Sequence, residues 1–68
     1  MSITVTLNGQ TEHYEAGTTV DTLVVRKGWY EQTVAVAVDG IIVPRSRWRE
    51  ASIPSGADIT VLSPMQGG

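Results

Sequence analysis

The sequence has 68 residues, enough for one domain, and 41% of them are hydrophobic against 18% charged, a balance typical of small globular proteins. Its net charge of −2 argues against nucleic acid as a partner, because proteins that bind phosphate backbones carry basic stripes or patches. Since the chain has no cysteine, one histidine and no apolar run near the ~20 residues of a membrane span, we expect no disulfide framework, no metal site, no membrane segment and a cytoplasmic location.

The first two predicted elements form a hairpin. Apolar residues alternate with threonines over residues 3–7, which is the period-two pattern of a strand with one buried face. Asn8 and Gly9 follow, and both readily adopt the positive φ angles that a type I′ turn requires. The chain is therefore expected to return as an antiparallel strand over residues 10–14.

A short helix follows the hairpin. Thr18 and Thr19 are both suitable N-caps, and the sequence leaves open which of them begins the helix. Gly28 is suited to end it, after two basic residues that favour the negative end of the helix dipole. Three apolar residues at helical spacing would face a sheet: Val20, Leu23 and Val24. Packing of that stripe must stabilise the helix, because its valines disfavour an isolated one.

The second half of the chain predicts another hairpin and a last strand. Valine alternates with alanine over 34–38, Asp39-Gly40 predicts a second type I′ turn, and residues 41–43 form the return strand. A final strand is predicted over 58–62. With the helix between two hairpins, this order predicts an α+β fold, the ubiquitin-like β-grasp: a mixed five-stranded sheet with one main helix on one face.

Residues 63–68 follow the last predicted strand, so we expect a β-grasp domain over 1–62 and a flexible tail. The tail ends in Gly67 and Gly68. Because glycine lacks a Cβ atom, such a tail can enter a narrow channel in a partner and present its terminal carboxylate there. Glycines are also common in frayed termini, but a diglycine directly after a β-grasp pattern favours a functional tail.

Three features together indicate a family. Residues 36–40 read Val-Ala-Val-Asp-Gly, Pro44-Arg45-Ser46 and Trp48 follow, and the chain ends in Gly67-Gly68. In these features, and over essentially its whole length, the chain resembles the ThiS family, the ubiquitin-like sulfur carriers of bacterial thiamine biosynthesis. It departs from the family's pattern in the aromatic and polar segment 26–33 and in the residues Met65-Gln66 before the diglycine.

The resemblance implies a carrier protein, not an enzyme. A ThiF-type adenylyltransferase would use ATP to adenylate the Gly68 carboxylate, and a sulfur donor such as a cysteine desulfurase relay would convert it to a thiocarboxylate. A ThiG-type thiazole synthase would then take the sulfur for the thiazole of thiamine. Met65, Gln66 and Gly67 would thread into the partner sites. The carrier itself would bind no cofactor and would use no catalytic side chain.

Two other functions are compatible with the same pattern. The chain could carry sulfur for molybdopterin or another pathway, although the Pro44-Arg45-Ser46 and Trp48 pattern favours thiamine. It could instead be a β-grasp binding module without covalent chemistry, which would need no free Gly68. Arg45, Arg47 and Arg49 form a basic cluster that either docks an acidic partner surface or is an ordinary solvated loop.

The remaining aromatic residues and the histidine have simpler expectations. Trp48 is expected in the core, where its large side chain would anchor an irregular segment to the sheet. Trp29 and Tyr30 either pack under the helix or form an exposed interaction patch, and the sequence does not decide between these alternatives. His13 alternates with Glu12 and Tyr14 in the second strand and is expected on the surface.

Overall fold

The computed structural model describes residues 1–31 and 34–62. Its elements are β1 (Ser2–Leu7), β2 (Gln10–Glu15), α1 (Val20–Arg26), β3 (Ala35–Val38), β4 (Ile41–Val43), a 3-10 turn (Arg45–Arg47) and β5 (Asp58–Leu62). The strands form one sheet in the order β2-β1-β5-β3-β4. β1 and β5 are parallel, and the other neighbours are antiparallel. The predicted mixed five-stranded β-grasp with one main helix is confirmed.

Both predicted type I′ turns are present. Asn8 and Gly9 have φ angles of 50° and 86°, and Asp39 and Gly40 have φ angles of 53° and 82°. Left-handed values at both turn positions match the right-handed twist of the flanking strands, which is why these dipeptides form tight hairpins. The strands that they join begin or end within one residue of the predicted positions, the usual uncertainty of such boundaries.

The N-terminus of α1 is capped by Thr19. Its hydroxyl accepts a 3.2 Å hydrogen bond from the amide of Thr22, whereas the buried hydroxyl of Thr18 donates to the carbonyl of Glu15 at 2.7 Å. The alternative that the sequence left open is therefore decided by the turn after β2. Thr18 is used to close the turn after β2, and Thr19 begins the helix.

The C-terminus of α1 is a Schellman motif. Gly28 has φ 78°, and its amide donates to the carbonyl of Val25 while the amide of Trp29 donates to that of Val24, both at 3.0 Å. These two bonds satisfy carbonyls that the end of a helix otherwise leaves without partners. Gly28 ends the helix as predicted.

One hydrophobic core lies between α1 and the sheet. It contains the predicted helix stripe and Trp48, which is 1% exposed. The carbonyl of Trp48 accepts from the amide of Asp21 at 3.1 Å, and the carbonyl of Ala51 accepts from Val20 at 3.0 Å. The segment 48–51 thus satisfies the first helical amides, and the predicted core position of Trp48 is confirmed.

Candidate functional site

The candidate site is the carboxyl end of β5, because the predicted reacting residue follows it. Gly68 and the predicted threading residues Met65, Gln66 and Gly67 lie outside the described residues. Leu62 is the last residue that the structure describes. β5 lies at the centre of the sheet between β1 and β3, so the sheet holds it on both sides.

The two neighbours of β5 hold it over different lengths. Pairing with β3 continues to the end of the strand, where Ala35 lies opposite Leu62. Pairing with β1 ends earlier, with Leu7 opposite Ile59, because the chain turns away at Asn8.

The side chain of Asn8 extends the shorter of these two ladders. The amide of Asn8 donates to the carbonyl of Ile59 at 2.9 Å, and its Oδ1 accepts from the amide of Val61 at 2.8 Å. The carboxamide therefore takes the place of a strand residue that β1 lacks. Asn8 secures β5 one residue before Leu62.

Asp39 makes the corresponding contacts at the beginning of β5. Its amide donates to the carbonyl of Asp58 at 2.8 Å, and its Oδ1 accepts from the amide of the same residue at 2.9 Å. The two type I′ turns therefore hold β5 near opposite ends and from opposite sides. The sequence predicted both turns but not these bonds, which join positions far apart in the chain.

An apolar patch surrounds the end of β5 on the sheet face opposite the core. The register places Ile42, Ala37 and Thr60 in one row and Ala35 with Leu62 in the next. Ile42 and Leu62 are each 60% exposed. We call these five residues the sheet-face patch. Sequence reasoning missed it, although apolar residues at the outward positions of the predicted strands were the signal that marks it.

Arg45, one of the three arginines of the predicted basic cluster, has partners within the chain. Its guanidinium carbon lies 4.6 Å from the ring centroid of Tyr30 and 5.3 Å from that of Trp48, distances typical of cation–π contacts. Its Nη2 also donates to the carbonyl of Tyr30 at 2.9 Å. Arg45 thus ties the segment after α1 to the 3-10 turn. Arg47 is exposed in that turn, and docking by either residue stays a prediction.

The aromatic residues after α1 have different environments. Trp29 is half-buried and packs against the core, whereas Tyr30 is 41% exposed beneath Arg45. Of the two open alternatives, packing applies to Trp29 and partial exposure to Tyr30. His13 is exposed, as predicted, with its Nδ1 3.2 Å from the hydroxyl of Thr4.

A charged network joins the edge strand β2 to the end of α1. The Nζ of Lys27 donates to Oε2 of Glu12 at 2.8 Å, and the hydroxyl of Tyr14 donates to Oε1. Hydrogen bonds from Lys27 and Tyr14 hold the pKa of Glu12 below its usual value. Burial, together with the bond to Glu12, raises the pKa of Tyr14 to about 12. These groups stabilise one edge of the sheet. The described part of the chain contains no cluster of side chains that could hold a metal ion.

Comparisons with known proteins agree with this architecture. A family model described as the ThiS family matches residues 5–68, whereas no curated protein matches the chain. The chain is similar to the crystal structure of the thiamine biosynthesis protein ThiS from Geobacter metallireducens, with a TM-score of 0.80 and 22% identity over 97% of this chain and 100% of that one. At this identity the likeness shows the fold. Within residues 1–31 and 34–62, no helix is long and apolar enough to cross a bilayer.

Proposed function

The chain belongs to the ThiS family of sulfur carriers, and we propose that it carries sulfur for the thiazole of thiamine on the carboxylate of Gly68. The observation that carries the proposal is the extent of the family match, which runs over residues 5–68 and so includes the diglycine. The fold supports it, because β5 leads directly into residues 63–68 from the centre of the sheet.

The chemistry of a carboxylate explains why a partner enzyme is needed. With a pKa near ~3.5, the terminal carboxyl is ionised at neutral pH and can attack the α-phosphorus of ATP, but its oxygen is too poor a leaving group for sulfur to displace. In the proposed sequence, a ThiF-type adenylyltransferase forms the Gly68 acyl-adenylate and releases pyrophosphate. Sulfide then attacks the carbonyl carbon, the C–S bond forms, and AMP leaves with the electrons of the C–O bond. Where a cysteine desulfurase relay is the donor, its sulfur arrives as a persulfide, and thiols that are oxidised to a disulfide supply the two electrons that bring it to the level of sulfide.

In these reactions the carrier positions the reacting carboxylate, and the partners supply the catalytic groups. The thiocarboxylate that remains on Gly68 is the sulfur source for a ThiG-type thiazole synthase. In both partners Met65, Gln66 and Gly67 would occupy the channel that leads to the reacting atoms. The carrier binds no cofactor in this proposal, ATP is bound by the activating enzyme, and the cytoplasm is where ATP and these partners meet.

The sheet-face patch is the proposed contact surface for the adenylyltransferase. Residues 63–68 can span at most about 20 Å from Leu62, so an enzyme that holds Gly68 must lie close to the surface around Leu62. The exposed apolar side chains at that place support a contact surface there. Arg47 lies in the turn that follows β4 and is proposed to meet an acidic group at the rim of the same contact.

Intact-mass measurement tests the proposal. The protein is incubated with a ThiF-type enzyme, ATP and sulfide, and we expect one oxygen of the C-terminal peptide to be replaced by sulfur. The product is then offered separately to a ThiG-type synthase and to a molybdopterin synthase subunit. Transfer to the first alone supports thiamine, whereas transfer to the second alone would assign the carrier to the molybdopterin pathway. Failure of the wild type to acquire sulfur would leave the binding-module alternative.

A further inference from the structure

Asn8 and Asp39 form a matched pair of contacts on β5. Each is the first residue of a type I′ turn with φ near +50°, at 50° and 53°. Each main-chain amide donates to a β5 carbonyl, that of Ile59 at 2.9 Å or that of Asp58 at 2.8 Å. Each Oδ1 accepts from a β5 amide, that of Val61 at 2.8 Å or that of Asp58 at 2.9 Å. The two residues differ in which end of β5 they hold.

The contact made by Asn8 lies next to the beginning of the tail. Val61 precedes Leu62, and residues 63–68 follow. On the β1 side, the strand pairs end at Leu7 opposite Ile59, so the Asn8 carboxamide replaces the main-chain acceptor that a longer β1 would supply to Val61. Without this acceptor, the last residues of β5 before the tail would be held by pairing with β3 alone.

We propose that Asn8 is a positioning residue for sulfur loading. By holding the amide of Val61, it fixes the direction in which β5 leads into the tail. The inference rests on the proposed function. An enzyme that binds the tail in a channel must order whatever part of it the carrier leaves free. If about one more residue of backbone is free in the unbound carrier, the entropy lost when the enzyme orders it lowers the affinity about tenfold. This cost falls on KM, because the tail is equally ordered in every bound complex once it has entered the channel.

Three substitutions separate positioning from stability. Asn8→Gly removes the acceptor but keeps a residue that adopts positive φ without strain. Asn8→Asp keeps an acceptor oxygen at the same place and is the rescue variant. Asp39→Gly is the matched control, because it removes the same kind of bond from a turn of the same type at the beginning of β5. Urea melts should show similar losses of stability for the two glycine variants.

The primary measurement is adenylation kinetics, followed by pyrophosphate release with a ThiF-type enzyme. We expect KM to rise about tenfold for Asn8→Gly with kcat within about twofold of wild type, and both constants to stay near wild type for Asn8→Asp and Asp39→Gly. Amide hydrogen exchange should accelerate at Val61 in Asn8→Gly and not in Asp39→Gly, a result that needs no partner enzyme.

The outcomes distinguish this inference from the proposed function. If the wild type is adenylated but Asn8→Gly has an unchanged KM, or Asp39→Gly is impaired equally, the role of Asn8 is wrong and the carrier function stands. Failure of Asn8→Asp to rescue, or unchanged exchange at Val61 in Asn8→Gly, overturns it in the same way. If the wild type is not adenylated at all, the proposed function fails, and the role of Asn8 in loading fails with it.

Discussion

The indole N–H of Trp48 donates a 2.9 Å hydrogen bond to the main-chain carbonyl of Val43. The ring is 1% exposed. The main-chain carbonyl of Trp48 also accepts a hydrogen bond from the amide of Asp21 at the beginning of α1. One residue therefore connects the end of β4, the 3-10 turn and the beginning of the helix, through its side chain and its main chain together.

We expect Trp48→Ala to lower the free energy of unfolding by about 3–5 kcal/mol, because it combines lost apolar burial with a cavity. This is a large fraction of the stability of a small domain. Trp48→Phe retains most of the ring and should cost less. Urea denaturation of the three proteins measures the difference, and an unchanged midpoint for the alanine variant would contradict the buried position of Trp48.

Acid sensitivity is expected from Glu12. Hydrogen bonds from Lys27 and Tyr14 lower the pKa of Glu12 from 4.5, so the folded state holds the charged carboxylate more strongly than the unfolded state does. Its stabilising contribution is present above the unfolded pKa and is lost as the pH falls through the folded pKa. Because the ion pair is partly exposed, with side chains 31% and 24% accessible, the effect is reduced by solvent screening.

Urea melts at about pH 7 and about pH 3 check this expectation. Glu12→Gln removes the titrating group while keeping a side chain of similar shape, so its stability should fall less than that of the wild type across the same interval. Other carboxylates titrate equally in both proteins and cancel in the comparison. Identical losses in the two proteins would show that Glu12 makes no such contribution.

Alkaline titration should identify Tyr14. Burial and the bond to Glu12 raise its pKa to about 12, so its contribution to stability is complete below the unfolded value of 10.0 and is lost as the pH rises through the folded pKa. The chain has two tyrosines, and Tyr30→Phe leaves Tyr14 as the only chromophore of this kind. Ultraviolet absorbance of tyrosinate in that variant should have a midpoint near the raised pKa. A midpoint at the ordinary value while the protein stays folded would contradict the burial of the hydroxyl.

The parts of the fold that were predictable are those whose conformation is decided locally. Asn8-Gly9 and Asp39-Gly40 favour type I′ turns whatever surrounds them, and the two turns fix the register of both hairpins. The core position of Trp48 was also predictable, since an exposed indole would leave a small domain with too little buried apolar area.

The parts that were not predictable depend on contacts between distant positions. Asn8 and Val61 are 53 residues apart, and Asp39 and Asp58 are 19 apart, so no local pattern announces their hydrogen bonds. The choice of Thr19 over Thr18 as the helix cap has a local cause instead, since the Thr18 hydroxyl donates to the carbonyl of Glu15 three residues earlier. The cation–π contact of Arg45 was also not predictable, because the ring of Tyr30 lies next to Arg45 only in the folded chain.

The sheet-face patch should determine affinity for the adenylyltransferase. We expect Ile42→Ser to raise the KM for adenylation by about tenfold, the effect of losing one well-buried aliphatic contact, with little change in kcat. Ile41→Ser is the matched control, because Ile41 is 70% exposed on the neighbouring position of β4 but points to the other side of the sheet. Equal effects of the two serine variants would argue against the patch as the contact surface.

The position of the terminal carboxylate should matter more than the presence of the two glycines. Adding one glycine after Gly68 keeps a thin tail but moves the carboxylate by about 3.5 Å, and misplacement by about 1 Å can cost ~100-fold in rate. Sulfur loading should therefore collapse in the extended protein, as it should when Gly68 is deleted.

Adding one glycine before Met1 is the matched control, and that protein should load normally. Urea melts of all four proteins should coincide, since these changes are made at the two ends of the chain and alter no residue of the described strands or core. Intact mass after incubation with the adenylyltransferase, ATP and sulfide gives the extent of loading. Sulfur found in the extended or shortened protein at the wild-type rate would mean that Gly68 does not carry it.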